Sequence, residues 1–143
     1  MSQENVELVR AMWPRQIDAV ELVADSETRG ELALGLAPDV DVSFIANAPG
    51  VPELRYRGAE GLTEGWRDWL EPYESYHLEV EDVIDAGDEE VLVRVRVSAR
   101  TRRDGVLVDH APAAICTVTG GQIVRVRFYL DTDQALEAVG LRE

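Results

Sequence analysis

Apolar residues recur at helical spacing in the first half of the chain and alternate with polar residues in the second half. A first helix is predicted from Ser2, which can cap it, because apolar positions repeat every three or four residues. These positions are Val6, Val9, Trp13 and Ile17. Pro14 lacks a backbone donor, so the helix should kink or restart near Trp13, and a second helical pattern runs to about Ala24.

The rest of the first half predicts shorter elements. The polar segment Asp25–Gly30 predicts a connection, and Glu31–Leu36 predicts a short helix that ends before Pro38. Alternating apolar and polar residues predict a half-buried strand over Asp39–Ala46. Prolines and glycines then predict a loop over Asn47–Gly58.

One helix with a strongly apolar face follows this loop. Its apolar positions are Leu62, Trp66, Trp69, Leu70 and Tyr73. They fall on one side of a helix, which predicts that this side packs against the core. Pro72 should weaken the last turn because it cannot donate a backbone hydrogen bond.

Four strands are predicted in the second half. They span Tyr76–Asp85, Val91–Arg102, Val106–Val118 and Ile123–Leu130. Helices followed by consecutive antiparallel strands predict an α+β fold, with the helices on one face of the sheet. The length favours a single domain over residues 1–143.

Two hairpins set the strand registers and therefore the faces of the sheet. The glycine pair at 120–121 predicts a two-residue turn, and the resulting register places His110 opposite Asp131. At the preceding hairpin, we predict a three-residue loop that ends at a left-handed Gly105, and not a two-residue turn. The three-residue loop gives the register in which the apolar side chains share one face of the sheet. That face comprises Leu78, Val80, Val93, Val95, Val97, Ala113, Ile115, Val126, Phe128 and Leu130.

The opposite, outer face is predicted to mix charged residues with a short apolar strip. Arg94 and Arg96 lie on this face, outside any pocket. The strip comprises Ala114, Cys116, Val118 and Ile123. Apolar residues ringed by arginines indicate an interface, so we predict a homodimer through the outer face, which Cys116→Glu should split.

Charge and cysteine content exclude several classes of partner. Acidic residues outnumber basic ones by 28 to 14, for a formal net charge of −14. Such a surface repels phosphate backbones and anionic membranes, so no nucleic-acid or membrane partner is expected. No apolar run approaches the ~20 residues that cross a bilayer, and no secretory signal is visible at the start. Because Cys116 is the only cysteine, no internal disulfide can form, and a cytoplasmic protein is predicted.

The order of elements and several segments resemble the SnoaL-like group of the nuclear transport factor 2-like superfamily. The segments are SQENVELVR, PDVDV, RYRGAEGLTEGWRDWLE, VIDAGDEEVLVRVRV and GGQIVRVRFYLDTDQALEAVGL, while residues from Pro14 to about Thr28 depart from the usual pattern. The resemblance implies a cone-shaped curved sheet, mixed but mostly antiparallel, wrapped around N-terminal helices with a pocket between them. It also implies dimers through the outer sheet face. Members include ketosteroid isomerase, scytalone dehydratase and polyketide cyclases, so the fold alone names no reaction.

The pocket that this resemblance implies has an aromatic lining here. Ketosteroid isomerase needs an Asp base and a Tyr–Asp pair, but the resemblance places Phe44, Ala113 and Trp13 at those positions, so that chemistry should be absent. The predicted lining residues are Trp13, Phe44, Trp66, Trp69, Tyr73, Ala113, Val126 and Phe128. Such a set is typical of a plain packed core, or of a site for a small apolar or aromatic ligand oriented by Tyr73 or an indole N–H.

His110 and Asp131 are the candidate catalytic pair. A histidine beside a carboxylate can act as a general base, and polyketide cyclases of the superfamily use a His and an Asp from late strands. The alternative is structural: the two form a cross-strand ion pair at the outer face or rim, which would add stability between about pH 4 and 6.5. Asp131 would then cap the final helix, Gln134 would complete a capping box, and Gly140 would end the helix.

Two functions follow from these features. The first is a small-molecule-binding protein of the SnoaL-like type, acting as a cofactor-independent isomerase, cyclase or hydrolase on an apolar, ring-containing substrate. The second is a non-catalytic binding or interaction module that kept the fold and lost the acids. The histidines and late aspartates lack the spacing of a metal motif, and no glycine-rich phosphate loop is present, so neither a metal nor another cofactor is expected.

Overall fold

The computed structural model describes residues 2–45 and 53–140, in which helices pack against one large sheet. The helices are α1 (Ser2–Met12), α2 (Ala19–Ala24), α3 (Ser26–Leu32), α4 (Gly58–Leu70) and α5 (Thr132–Ala138), with a 3-10 turn at Ala33–Gly35. The strands are β1 (Gln16–Asp18), β2 (Leu36–Ile45), β3 (Leu54–Arg57), β4 (Tyr73–Gly87), β5 (Glu90–Thr101), β6 (Leu107–His110), β7 (Ala113–Thr119) and β8 (Gln122–Tyr129). The predicted α+β class is confirmed. Among the described residues, no helix has the length and apolar character to cross a membrane.

The sheet is mixed, although most neighbouring strands are antiparallel. Its order is β1-β4-β5-β7-β8-β2-β3, and β6 also pairs with β5. In the described sheet, the parallel pair joins β2 to β8 and sets Phe44 beside Phe128. Helices α1, α2 and α4 pack on one face, called the inner face here, and α5 packs on the outer face. The larger core therefore lies between the first helices and the inner face.

Pro14 interrupts the first helix, as predicted. Helix α1 stops at Met12, and the chain then forms β1, where Ile17 pairs with Leu78 of β4. The assignment of Ile17 to a helix is therefore wrong. Helical structure resumes at Ala19, after this short edge strand.

The predicted connection Asp25–Gly30 is wrong because α3 occupies it. The Asp25 carboxylate accepts hydrogen bonds from the backbone N–H groups of Glu27 (3.1 Å) and Thr28 (3.3 Å). The polar residues that suggested a loop therefore cap a helix, which is their other common role. The helix predicted over Glu31–Leu36 is replaced by the end of α3, the 3-10 turn and the start of β2.

The loop predicted over Asn47–Gly58 contains a strand. Residues 54–57 form β3, which pairs with β2 so that Tyr56 lies opposite Val42. Gly58 begins α4. Residues 47–52 of that prediction, and Ala46 of the predicted strand, lie outside the described residues.

Two small irregularities shift the hairpin registers. Residues 102–106 connect β5 to β6. Because the Thr101 N–H donates to the Val106 carbonyl, the turn itself covers residues 102–105, one residue more than predicted. Gly105 has the predicted left-handed conformation, with φ of +63°. The β7–β8 pairing starts at the glycine turn as predicted, but its register shifts between Thr117 and Val118. Since side chains alternate along a strand, each one-residue shift exchanges the two faces.

The face assignment of β7 is therefore reversed. The predicted outer strip belongs to the inner core, where each member is at most 1% exposed: Ala114, Cys116, Val118 and Ile123. Ala113 and Ile115, predicted to face inward, pack with Leu92 and the α5 side chain Ala135 on the outer side. The apolar strip that motivated the homodimer is thus absent from the outer face.

The outer-face prediction holds for Arg94 and Arg96. Arg94 Nη1 lies 3.2 Å from a carboxylate oxygen of Asp82, and Arg96 Nε lies 3.7 Å from one of Glu81. Both pairs are well exposed, so each contributes little stability. Neither guanidinium enters the space between the sheet and the helices.

The strand predicted over Val106–Val118 is interrupted at Pro112. The two pieces, β6 and β7, both pair with β5. His110 ends β6 opposite Val97, an inner-face residue. Directly opposed residues share a face, so His110 lies on the inner side of the sheet, not on the predicted outer side.

Candidate functional site

A cavity of about 290 Å³, called the main cavity here, lies between the helices and the inner face of the sheet. Side chains of α2, α3 and α4 line it, and Leu78 and Phe128 contribute from the sheet. The lining is largely apolar, including Ile17, Leu22, Val23, Leu32, Leu62 and Trp66. Part of this wall comes from Pro14–Thr28, the segment that departs from the family pattern.

Three aromatic rings separate the main cavity from a smaller space of about 30 Å³, called the inner hollow here. Trp13, Trp66 and Phe128 border both spaces and are called the aromatic partition. The Trp66 and Phe128 ring centroids are 5.3 Å apart, and those of Trp13 and Phe128 are 5.9 Å apart. The inner hollow has room for one water-sized group.

Helix α4 can approach the sheet closely because Gly65 has no side chain. A Cβ at this position would lie 2.5 Å from the Phe44 ring and 3.0 Å from the Tyr56 ring. The approach brings two tryptophans of the same helix onto Phe44, with ring centroids 5.8 Å away for Trp66 and 6.0 Å away for Trp69. Gly65 thus helps to position the aromatic wall.

Three polar side chains form a hydrogen-bonded chain beside the inner hollow. Trp69 Nε1 donates to Tyr76 Oη at 3.0 Å, and Tyr76 Oη lies 3.4 Å from His110 Nε2. Tyr76 is 2% exposed, and burial raises its pKa, so the hydroxyl stays protonated at neutral pH. Because Trp69 already donates to the phenol oxygen, the Tyr76 proton can be directed to His110.

The surroundings of His110 favour its neutral form. Burial lowers the pKa of the imidazole, and this effect outweighs a backbone hydrogen bond to Leu130 and the nearby Asp109 charge, which both raise it. A ring N–H that bonds to the Leu130 carbonyl leaves Nε2 to accept from Tyr76. The pair can therefore share a proton through Tyr76, which lines the inner hollow, whereas His110 lines neither space.

His110 and Asp131 do not form the predicted pair. No hydrogen bond or ion pair joins their side chains in the part of the chain that the structure describes. Asp131 instead caps α5, accepting from the Asp133 backbone N–H at 2.9 Å, as the structural alternative predicted. The capping box does not form, because Gln134 Oε1 is buried without a hydrogen-bond partner among the described residues.

The predicted lining residues are only partly brought together. The aromatic ones that border the main cavity, the inner hollow or both are Trp13, Phe44, Trp66, Trp69 and Phe128. Ala113 belongs to the outer cluster but also borders the inner hollow, whereas Val126 is fully buried and borders neither space. Tyr73 starts β4 instead of ending a helix, and it lies beside Arg102 at a shallow groove.

Tyr76 and the contribution of α3 to the site were not predicted from the sequence. A signal for Tyr76 was present, because it precedes Leu78 by two residues on the same strand and so shares its inward face. No comparable signal marked α3, whose residues were assigned to a connection.

Neither metal binding nor thiol chemistry finds support in the described residues. They contain no group of three or more His, Cys, Asp and Glu side chains placed to hold a metal ion. Cys116 is fully buried near Trp13, and burial raises its pKa to about 12. The sulfur therefore stays a thiol at neutral pH and is a poor nucleophile.

Two charged side chains line the main cavity. Arg29 of α3 is half-buried and donates from Nη1 to the Val23 carbonyl oxygen. Glu60, in the first turn of α4, is exposed. No ion pair joins them in the described part of the chain. The rim of an otherwise apolar space therefore carries one charge of each sign.

Comparisons with known proteins agree with the fold. The model of the SnoaL-like domain family matches residues 8–126. No curated protein sequence matches the chain. One similar structure is described as a SnoaL-like polyketide cyclase from Jannaschia sp. CCS1, with 18% identity, a TM-score of 0.69 and coverage of 99% of this chain and 94% of that chain.

Two further structures are similar over nearly their whole length. An NTF2-like protein from Burkholderia thailandensis E264 has 21% identity and a TM-score of 0.67, covering 94% of this chain and 95% of that one. TerC, co-crystallised with polyporic acid, has 16% identity and a TM-score of 0.67, covering 96% and 98%. At these identities the similarity shows the fold and no more.

Proposed function

Because the chain belongs to the family of SnoaL-like domains, we propose that it binds a small, largely apolar, ring-containing ligand in the main cavity. The cavity itself carries this proposal. Its volume of about 290 Å³ is at the lower end of small-molecule sites, which span about 300–1,000 Å³ and are mostly apolar with a few polar groups. The aromatic partition offers flat ring surfaces at one end of this space.

The co-crystallisation of TerC with polyporic acid supports this choice of ligand class, since TerC has a similar fold. A ring that buries about 100 Å² of apolar surface gains roughly 2.5 kcal/mol. The lining therefore contributes favourably to binding, while polar groups at the rim set the orientation of the ligand.

A neutral aromatic probe tests the proposal. 2-Naphthalenemethanol, titrated by calorimetry, should bind the parent protein saturably. Ala59→Trp should weaken binding roughly tenfold or more, because Ala59 lines the main cavity and an indole there would fill it. Ala11→Trp is the matched control, since Ala11 is exposed on α1 and borders neither the main cavity nor the inner hollow. Equal affinity in all three proteins, or none in the parent, would contradict binding in this cavity.

The natural ligand can be sought directly. Mass spectrometry of the purified protein, before and after denaturation, should reveal a ring-containing compound released from the parent. The same compound should be depleted in Ala59→Trp and retained in Ala11→Trp.

A second candidate function is a cofactor-independent reaction in which His110 acts as the proton acceptor. The chain of hydrogen bonds from Trp69 through Tyr76 to His110 favours it. For a compound found to be turned over, His110→Gln should lower kcat about 100-fold or more. Asp131→Asn, which can still cap α5, should leave kcat unchanged. Loss of turnover only in Asp131→Asn would transfer the role to Asp131.

Three coarser expectations remain proposals. We propose one domain over residues 1–143, a cytoplasmic location and a homodimer. Length supports the first, and charge with the single cysteine supports the second. The homodimer rests on the resemblance, because dimers through the outer sheet face are common in the proteins that this chain resembles.

A further inference from the structure

Resting on the binding function proposed above, we infer that the ligand is an acidic ring compound whose anionic head group, such as a carboxylate, binds to Arg29 at the rim of the main cavity. The proposed function concerns the apolar body of the ligand. Its charge is a separate property, and Arg29 is the residue that recognises it.

Arg29 is positioned for this role by its helix. Asp25 caps α3, so Arg29 follows one turn later and its side chain reaches the main cavity. Its Nη1 donates to the Val23 carbonyl oxygen, which fixes the guanidinium against the end of α2. Among the described residues that line the cavity, Arg29 is the one with a positive charge.

The guanidinium retains unused donors. A guanidinium has five N–H donors, and in the described part of the chain only the bond to Val23 has an acceptor. Asp25 is close, but its carboxylate oxygens accept from the Glu27 and Thr28 N–H groups and the Thr28 hydroxyl. The remaining donors form a planar fork that matches a carboxylate, and the apolar lining strengthens such a contact.

Neither Glu60 nor Thr63 replaces Arg29 as the head-group residue. Glu60 lies on the α4 side but is exposed, so water screens its repulsion. The Thr63 hydroxyl donates to the Ala59 carbonyl of its own helix at 3.2 Å. The net charge of −14 disfavours anions at long range, but screening within ~10 Å at 0.1 M salt leaves the direct contact to decide.

Three probes of one shape test the inference: 2-naphthoate, 2-naphthalenemethanol and 2-naphthylmethylammonium. In calorimetric titrations of the parent at neutral pH and 0.1 M salt, 2-naphthoate should bind roughly tenfold more tightly than the alcohol, and the ammonium probe most weakly. Arg29→Gln should remove the preference for 2-naphthoate and keep alcohol binding within about twofold. Arg29→Lys should keep part of the preference, because it retains the charge and loses the fork.

Glu60→Gln is the matched control, since it should preserve or increase the preference for 2-naphthoate. Tightest binding of the ammonium probe would assign the head group to Glu60 and overturn the inference. So would equal binding of 2-naphthoate and the alcohol, or a preference that survives Arg29→Gln. In those outcomes the alcohol still binds, and the proposed function stands. Failure of the alcohol itself to bind the parent would overturn both.

Discussion

Asp131 acts at the start of α5 through one hydrogen bond and an extended backbone. Its carboxylate accepts from the Asp133 N–H at 2.9 Å, and Gly140, with φ of +76°, follows the end of the helix. Asp131→Ala should lower the free energy of unfolding by about 0.5–2 kcal/mol, measured by urea denaturation. Asp131→Asn should stay close to the parent because Asn also caps. Equal stability of the alanine variant would show that the cap contributes nothing.

His110 should make stability depend on pH in the sense opposite to the predicted ion pair. Burial lowers its folded-state pKa below the ordinary value of 6.5, so the unfolded chain binds more protons between these two pKa values. Stability therefore falls as the pH drops below about 6.5. Urea midpoints of the parent between pH 7.5 and pH 5.5 should show this fall, and His110→Gln should lessen it. If the parent instead became more stable from pH 7 to pH 6, this would contradict a lowered pKa of His110 and favour the predicted ion pair.

At the scale of elements, two glycines in helices should respond to alanine with opposite signs. Gly65→Ala places a methyl group 2.5 Å from the packed Phe44 ring, so it should destabilise the protein by about 1–3 kcal/mol. Gly30 lies inside α3, and a Cβ added there would have no atom within 4 Å. Gly30→Ala should stabilise by about 0.5–1 kcal/mol through helix propensity alone. Denaturation of both variants checks the pair, and an unchanged Gly65→Ala would mean that α4 can move away.

The elements that the sequence predicts well are those with long periodic patterns. The α4 face of Leu62, Trp66 and Trp69 and the alternation of β4 and β5 needed no tertiary information. Helix α3 did require tertiary information, because polar residues such as the capping Asp25 are typical of helix starts and of loops alike. The aromatic rings of the site were predictable for the same reason as the core, since both follow from burial.

The Tyr76–His110 contact was not predictable, because it depends on one residue of loop length. Tyr76 and His110 lie on strands at either side of β5, so they meet only when the 102–105 loop sets His110 opposite Val97. One residue fewer would turn the imidazole to the outer face. The register shift near Thr117 has no sequence signal either, since apolar residues flank it on both sides.

For the whole molecule, the burial of Cys116 changes the expected effect of Cys116→Glu. The side chain is fully buried in the inner core, so a carboxylate there should cost more than about 3 kcal/mol and abolish cooperative unfolding. Circular dichroism and urea denaturation measure this. A well-folded monomeric variant would instead show that Cys116 lies at an interface.

The homodimer can be tested separately from that variant. Analytical ultracentrifugation of the parent at micromolar concentration should show a dimer, and a monomer at every concentration would refute it. Arg96→Glu is a suitable variant for testing whether the dimer forms through the outer face. Arg96 is exposed and paired with Glu81, so its replacement leaves the core intact.

The parallel pairing of β2 with β8 has a consequence for how the chain folds during synthesis. Phe44 and its neighbours in β2 have β3 on one side, but their other partner is among the last strands of the described chain to leave the ribosome. The nascent chain therefore holds an unpaired strand edge and an uncovered aromatic surface until β8 emerges. Joining segments so distant in sequence raises the contact order, which slows folding. We expect the sheet to be completed only after β8 has left the ribosome, and the unfinished chain to be the form most exposed to aggregation.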